Sequence, residues 1–145
     1  MTRRLPWIAL GVMLGIAGYV VADHATKDKH AEATKLKVLM EQVLKEKIDG
    51  KEAKVTMIEL EKAPQTAGAK HRHPGPVFVY VLDGELESQV DDGPVKVYKK
   101  GEVFYEPARA LHAVSRNPSK TKPVRFLAIM LTDKDEKNLV LPEKP

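Results

Sequence analysis

The 145-residue chain contains no cysteine, which excludes disulfides, thiolate metal ligands and a cysteine nucleophile. It also lacks the run of roughly 20 apolar residues that crosses a bilayer comfortably as a helix. Its uncharged stretch Trp7 to Ala22 has only 16. Charge of one sign is not concentrated anywhere. The formal net charge is +4, and setting Arg3 and Arg4 aside leaves the remaining Lys and Arg near balance with the 20 acids. The basic face that nucleic-acid binding requires is therefore missing, and no nucleic-acid partner is expected. Nor is there a Ser-His-Asp arrangement, a phosphate-binding glycine loop or a carboxylate pair placed as in glycosidases. What remains is a chain with 43% hydrophobic and 30% charged residues, a globular composition sized for one domain.

Residues 1–22 (MTRRLPWIALGVMLGIAGYVVA) place Arg3 and Arg4 ahead of the apolar stretch and end on Val20-Val21-Ala22 before turning polar at Asp23. That order reads as a secretory signal peptide. An uncleaved membrane anchor over residues 5–22 is the alternative. In both cases the folded part is expected outside the cytoplasm, periplasmic or extracellular, with any membrane contact confined to this segment. Residues 23–37 are polar and rich in Lys and Ala. They are expected to form a spacer, in which His24 and His30 are solvated and set aside as ligands.

From residue 38 onward the pattern is that of short strands. Val55 to Glu61 and Glu85 to Asp91 alternate, and Val77 to Leu82 (VFVYVL) is β-branched and aromatic. Val124 to Leu131 (VRFLAIML) is an apolar run suited to a core strand. Val38 to Ile48 is ambiguous between a helix turn and an edge strand, and strand is preferred. Pro and Gly punctuate the joins, as at Pro74-Gly75-Pro76, Asp83-Gly84 and Pro107. The expectation is an all-β sandwich or barrel over 38–132. A charged tail over 133–145 is expected to lie on the surface or against a partner subunit.

His71 and His73 are two residues apart, and on a strand such residues face the same way. His112 lies in the other proline-rich, strand-flanked segment. Three imidazoles converging inside a barrel suit one divalent transition metal, Fe, Mn, Ni, Cu or Zn, with positions left open for water or substrate.

The surroundings of these histidines resemble the cupin family. Its first motif appears as His71-Arg72-His73-Pro74-Gly75-Pro76-Val77, followed after six residues by Gly84. Its second appears as Gly101, then Pro107 after five residues, then His112. Sixteen residues, Glu85–Lys100, separate the two, and the resemblance covers about residues 52–131. It implies a single cupin jelly-roll β-barrel with a metal on His71, His73 and His112, and commonly a homodimer. Several positions depart from the family. Its glutamate ligand falls on Val77, its leading glycine on Gln65, its second-motif glycine on Arg109, and its closing asparagine on Arg116, one step from Asn117. Around the metal, Glu106, Gln89, Arg109 and Tyr80 are candidate supporting residues, Glu106 and Gln89 as a distant oxygen ligand or base. The resemblance implies a metal-dependent enzyme of dioxygenase or oxidoreductase type acting on a small organic molecule. The alternative is a non-catalytic module that captures a small ligand or a metal.

Overall fold

The computed structural model describes residues 34–143, so the expected signal peptide and most of the expected spacer lie outside the described residues. Ten strands follow in chain order: β1 (Thr34–Ile48), β2 (Lys51–Lys62), β3 (His71–Arg72), β4 (Val77–Asp83), β5 (Glu85–Val90), β6 (Lys96–Lys99), β7 (Val103–Glu106), β8 (Leu111–Arg116), β9 (Val124–Asp133) and β10 (Leu141–Pro142). There is no helix among the described residues. The strands form two five-stranded sheets, ordered β1-β2-β9-β4-β7 and β10-β3-β8-β5-β6, and every pairing is antiparallel. This is the all-β, two-sheet architecture expected from the strand pattern, in the jelly-roll form that the family resemblance implies.

Alternation builds the core. In β4, Val77, Val79 and Val81 are buried while Phe78 and Tyr80 are exposed. In β9, Val124, Phe126, Ala128, Met130 and Thr132 point inward. These residues enclose one apolar cluster with Ile58, Leu86 and Phe104. The period of two in the side chains decides which face each residue takes.

Three expectations need adjustment. Thr34 to Lys37, assigned to the spacer, are the first residues of β1, because Thr34–Val38 pair in unbroken register with Ile58–Lys62. The ambiguous segment is strand throughout, and it returns through Asp49-Gly50, both left-handed (φ 49° and 75°), with Ile48 opposite Lys51. A two-residue turn with both φ positive is the hairpin connection that matches strand twist. The tail does not merely lie on the surface. Leu141 and Pro142 pair with Arg72 and His71, and Arg72 donates to the Glu143 carboxylate.

Candidate metal centre

The site is built where β3, β7 and β8 meet. His71 sits directly opposite His112 across the β3–β8 pair, and His73 follows β3 immediately. The chain then turns at Pro74-Gly75-Pro76 under β9. A Cβ on Gly75 would come within 1.9 Å of the Leu131 carbonyl oxygen, so only glycine fits this close approach. Nitrogens of His71, His73 and His112 lie within 4.8 Å of one another.

Hydrogen bonds fix two of the three tautomers. Nδ1–H of His71 donates to the Ala69 carbonyl at 2.8 Å, and Nδ1–H of His73 donates to the Leu139 carbonyl at 2.6 Å. A carbonyl only accepts, so each Nε2 is left with a lone pair. The two Nε2 atoms are 3.1 Å apart. Two lone pairs facing at that distance repel unless a cation or a proton lies between them. Burial pushes His71 below the ordinary imidazole value, and the neighbouring His112 and His73 push the same way, against the raising effects of Ala69 and Glu106. A metal ion between the two fits this arrangement.

His112 Nε2 lies 3.0 Å from Ser88 Oγ, while its buried Nδ1 has no hydrogen-bond partner. With Ser88 accepting from Nε2–H, this orphaned Nδ1 presents a third lone pair to the cluster. Beside the three histidines lies Glu106, which is buried. One carboxylate oxygen lies 3.5 Å from His73 Nε2 and 3.2 Å from His112 Nδ1. Glu106 stands directly opposite Val77 across the β4–β7 pair. A carboxylate is absent from position 77 but present one strand over. Three converging imidazoles with a carboxylate beside them are the donor types that suit a divalent transition metal.

The other expected supporting residues lie elsewhere. Gln89 has the outward parity on β5 and donates to the Gly93 carbonyl in the following turn, leaving the inward place to Ser88. Tyr80 is exposed on the outer face of β4. The Arg109 side chain is exposed and only its backbone serves the site, with N–H donating to the His73 carbonyl at 2.8 Å. Arg116 pairs with Glu87 on the surface.

The departures from the family motifs have conformational counterparts. Gln65 and Arg109, standing where glycines are expected, both adopt left-handed backbone (φ 59° and 64°). Between β5 and β8 the register skips Ala113, since Val90 faces His112 and Gln89 faces Val114. This bulge adds one residue. It turns His112 and Ser115 to the same buried face and brings Asn117, fully buried, to the inward place expected at 116.

Sequence reasoning missed several groups. The Leu139 carbonyl comes from the tail, Ser88 from β5, and Lys62 and Ser115 from the far wall of the cavity. That cavity, about 320 Å³, is lined by the four metal-type donors and by apolar residues such as Leu60, Phe126 and Met130. Lys62 was legible in principle, because the inward alternation Thr56, Ile58, Leu60 continues onto it.

Residues 58–130, half of the chain, match the family profile described as Cupin domain. No protein of curated function matches the chain in sequence. Similar solved structures include the polyketide cyclase RemF of Streptomyces resistomycificus, 20% identical, with a TM-score of 0.58 over 79% of this chain and 73% of that one. An uncharacterized conserved protein with a double-stranded β-helix domain from Klebsiella pneumoniae is 18% identical, with a TM-score of 0.56 over 79% of this chain and 95% of that one. An oxalate oxidase in complex with the substrate analogue glycolate is 20% identical, with a TM-score of 0.53 over 72% of this chain and 53% of that one. At these identities the likeness is one of fold. The two-sheet jelly roll, the histidines where the motifs place them and the profile match together make the chain a member of the cupin family.

Proposed function

We propose that this chain is a metal-dependent cupin that binds one divalent transition metal on His71, His73, His112 and Glu106 and acts on a small organic molecule in the adjoining cavity. The observation that carries the reading is the pair of Nε2 atoms 3.1 Å apart, with a buried carboxylate oxygen 3.5 Å from one of them and 3.2 Å from the third imidazole. Such a cluster is poorly satisfied without a cation. Bound there, the metal supplies Lewis acidity and, if iron, manganese or copper, redox chemistry. The protein's own part is to hold the imidazoles in one tautomer through Ala69 and Leu139, to place Glu106, and to enclose the ligand in apolar walls that exclude water. Similarity to an oxalate oxidase and a polyketide cyclase supports a small organic substrate and oxidoreductase-type chemistry.

The test is metal titration of the full chain by calorimetry. His71→Ala, His73→Ala and His112→Ala are each expected to weaken binding strongly, while His24→Ala and His30→Ala leave it unchanged. Equal binding in all five would end the proposal. A second reading is a non-catalytic binding module. It is favoured because, among the described residues, Glu106 is the one carboxylate lining the cavity with the histidines, and a Glu106 committed to the metal leaves no separate carboxylate base there. Tightly held zinc without oxygen uptake or turnover would select it.

The same proposal includes export and self-association. Export rests on residues 1–22, and mass measurement of the mature chain tests cleavage against anchoring. A homodimer is supported by an exposed apolar patch on the outer sheet face, where Phe78 and Tyr105 lie 5.2 Å apart beside Tyr80 and Val103. Phe78→Lys is expected to shift the mass in light scattering from dimer to monomer.

A further inference from the structure

Lys62 is a buried lysine, 5% exposed, at the inward end of β2. Its ammonium donates to the Ser115 carbonyl at 2.7 Å and to Ser115 Oγ at 2.6 Å. No carboxylate of the described residues forms an ion pair with it, and the one acid whose field reaches it is Glu106. A Cβ on Gly68 would lie 3.2 Å from Lys62 Nζ, so the bare glycine leaves room for the ammonium. Lys62, Gly68 and Ser115 line the same cavity as the histidines.

A buried ammonium without a counter-ion is costly and is retained only where something offsets it. Glu106 stands within the donor set of the metal centre, so a bound metal takes up its charge. The cavity then holds a metal ion, one carboxylate and one ammonium, and its balance is positive. Ser115 lies three residues beyond His112 on β8. At ~3.3 Å per residue, and less across the bulge at Ala113, that separates the lysine pole from the histidine pole by no more than about 10 Å. Apolar side chains fill the wall between them.

We propose that Lys62, held by Ser115 beneath Gly68, is the anion-recognition residue of the cavity, and that the ligand is a small organic carboxylate with an apolar body. This deepens the small-molecule reading above and rests on it. The carboxylate accepts the third ammonium hydrogen, which has no partner among the described residues, and the apolar body lies along Leu60 and Phe126 toward the metal centre.

The test compares benzoate with its neutral isostere benzamide, by calorimetry at pH 7 on the full chain supplied with zinc. Benzoate is expected to bind ~10-fold or more tightly, as for a charge-assisted hydrogen bond. Lys62→Met is expected to abolish the preference and Lys62→Arg to keep it. Equal affinities in the wild type, no benzoate binding at all, or a preference that survives Lys62→Met would each overturn the assignment. Should Lys62→Met fail to fold, nitrogen NMR of lysine-labelled wild type decides. The slowly exchanging buried ammonium signal is expected to move with benzoate and not with benzamide, and an unmoved signal counts against Lys62. Zinc uptake by the same preparations separates the two claims. Zinc binding without benzoate selectivity refutes the lysine pole alone, and selectivity without zinc binding refutes the metal centre alone.

Discussion

Glu106 and Val77 face each other across neighbouring strands, so the position of one carboxylate is a question of which strand carries it. Glu106→Gln is expected to weaken zinc or iron binding about 10- to 100-fold in calorimetry, the range found when a supporting or ligating group is removed. The double variant Val77→Glu with Glu106→Val returns the carboxylate to the family's position and is expected to restore most of the loss. If Glu106→Gln binds metal unchanged, the carboxylate is not part of the donor set. Arg109 carries a different burden, a left-handed backbone that costs a residue with a Cβ about 1–2 kcal/mol. Arg109→Gly removes that cost and gives back part of it in chain entropy. A net gain of about 0.5–1 kcal/mol is expected, read as a rise of a few degrees in thermal unfolding with metal affinity unchanged. No rise would mean that contacts of the arginine offset the strain.

The final strand is the element that sequence periodicity could not place. Two residues, Leu141 and Pro142, are too short to register as a strand, and their pairing with β3 joins positions some 70 residues apart. That pairing carries the Leu139 carbonyl to His73 Nδ1 and fixes the tautomer of a metal-type ligand. Truncation after Asn138 removes this acceptor and part of the cavity wall. It is expected to lower metal affinity ~10-fold or more while leaving the circular dichroism of the sheets intact. Full affinity in the truncated chain would show that His73 is oriented without the tail. The other elements were more legible. Alternation in β4 and β9 assigned their inward faces, and the His-x-His spacing brought His71 and His73 side by side. The bulge at Ala113 was not visible, because an inserted residue shows only against the partner strand. The same limit hid the contrast between Gln89 and Ser88, whose roles depend on the parity of β5 relative to the core. Glu106 was visible as a candidate but not as a neighbour of Val77, since strand order is set by tertiary packing.

For the molecule as a whole, the cavity sets function against stability. Burial holds Lys62 down to about 8, against roughly 10.4 for a lysine in the unfolded chain. Between those values the unfolded chain binds more protons, so stability rises as pH climbs from about 8 to 10.4, by at most about 3 kcal/mol. Lys62→Met is expected to unfold at a higher temperature than wild type at pH 7 and to lack the alkaline rise, both read by calorimetric scans. A less stable Lys62→Met would mean that its bonds to Ser115 outweigh the burial cost. The central claim, however, is the metal centre. The measurement that tests it most directly is elemental analysis of the full chain, purified without an added tag, beside His71→Ala. The account predicts close to one transition metal per chain in the wild type and its loss in the variant. A wild type free of metal that takes up none from added zinc, iron or manganese, or a variant that retains its metal, would contradict it.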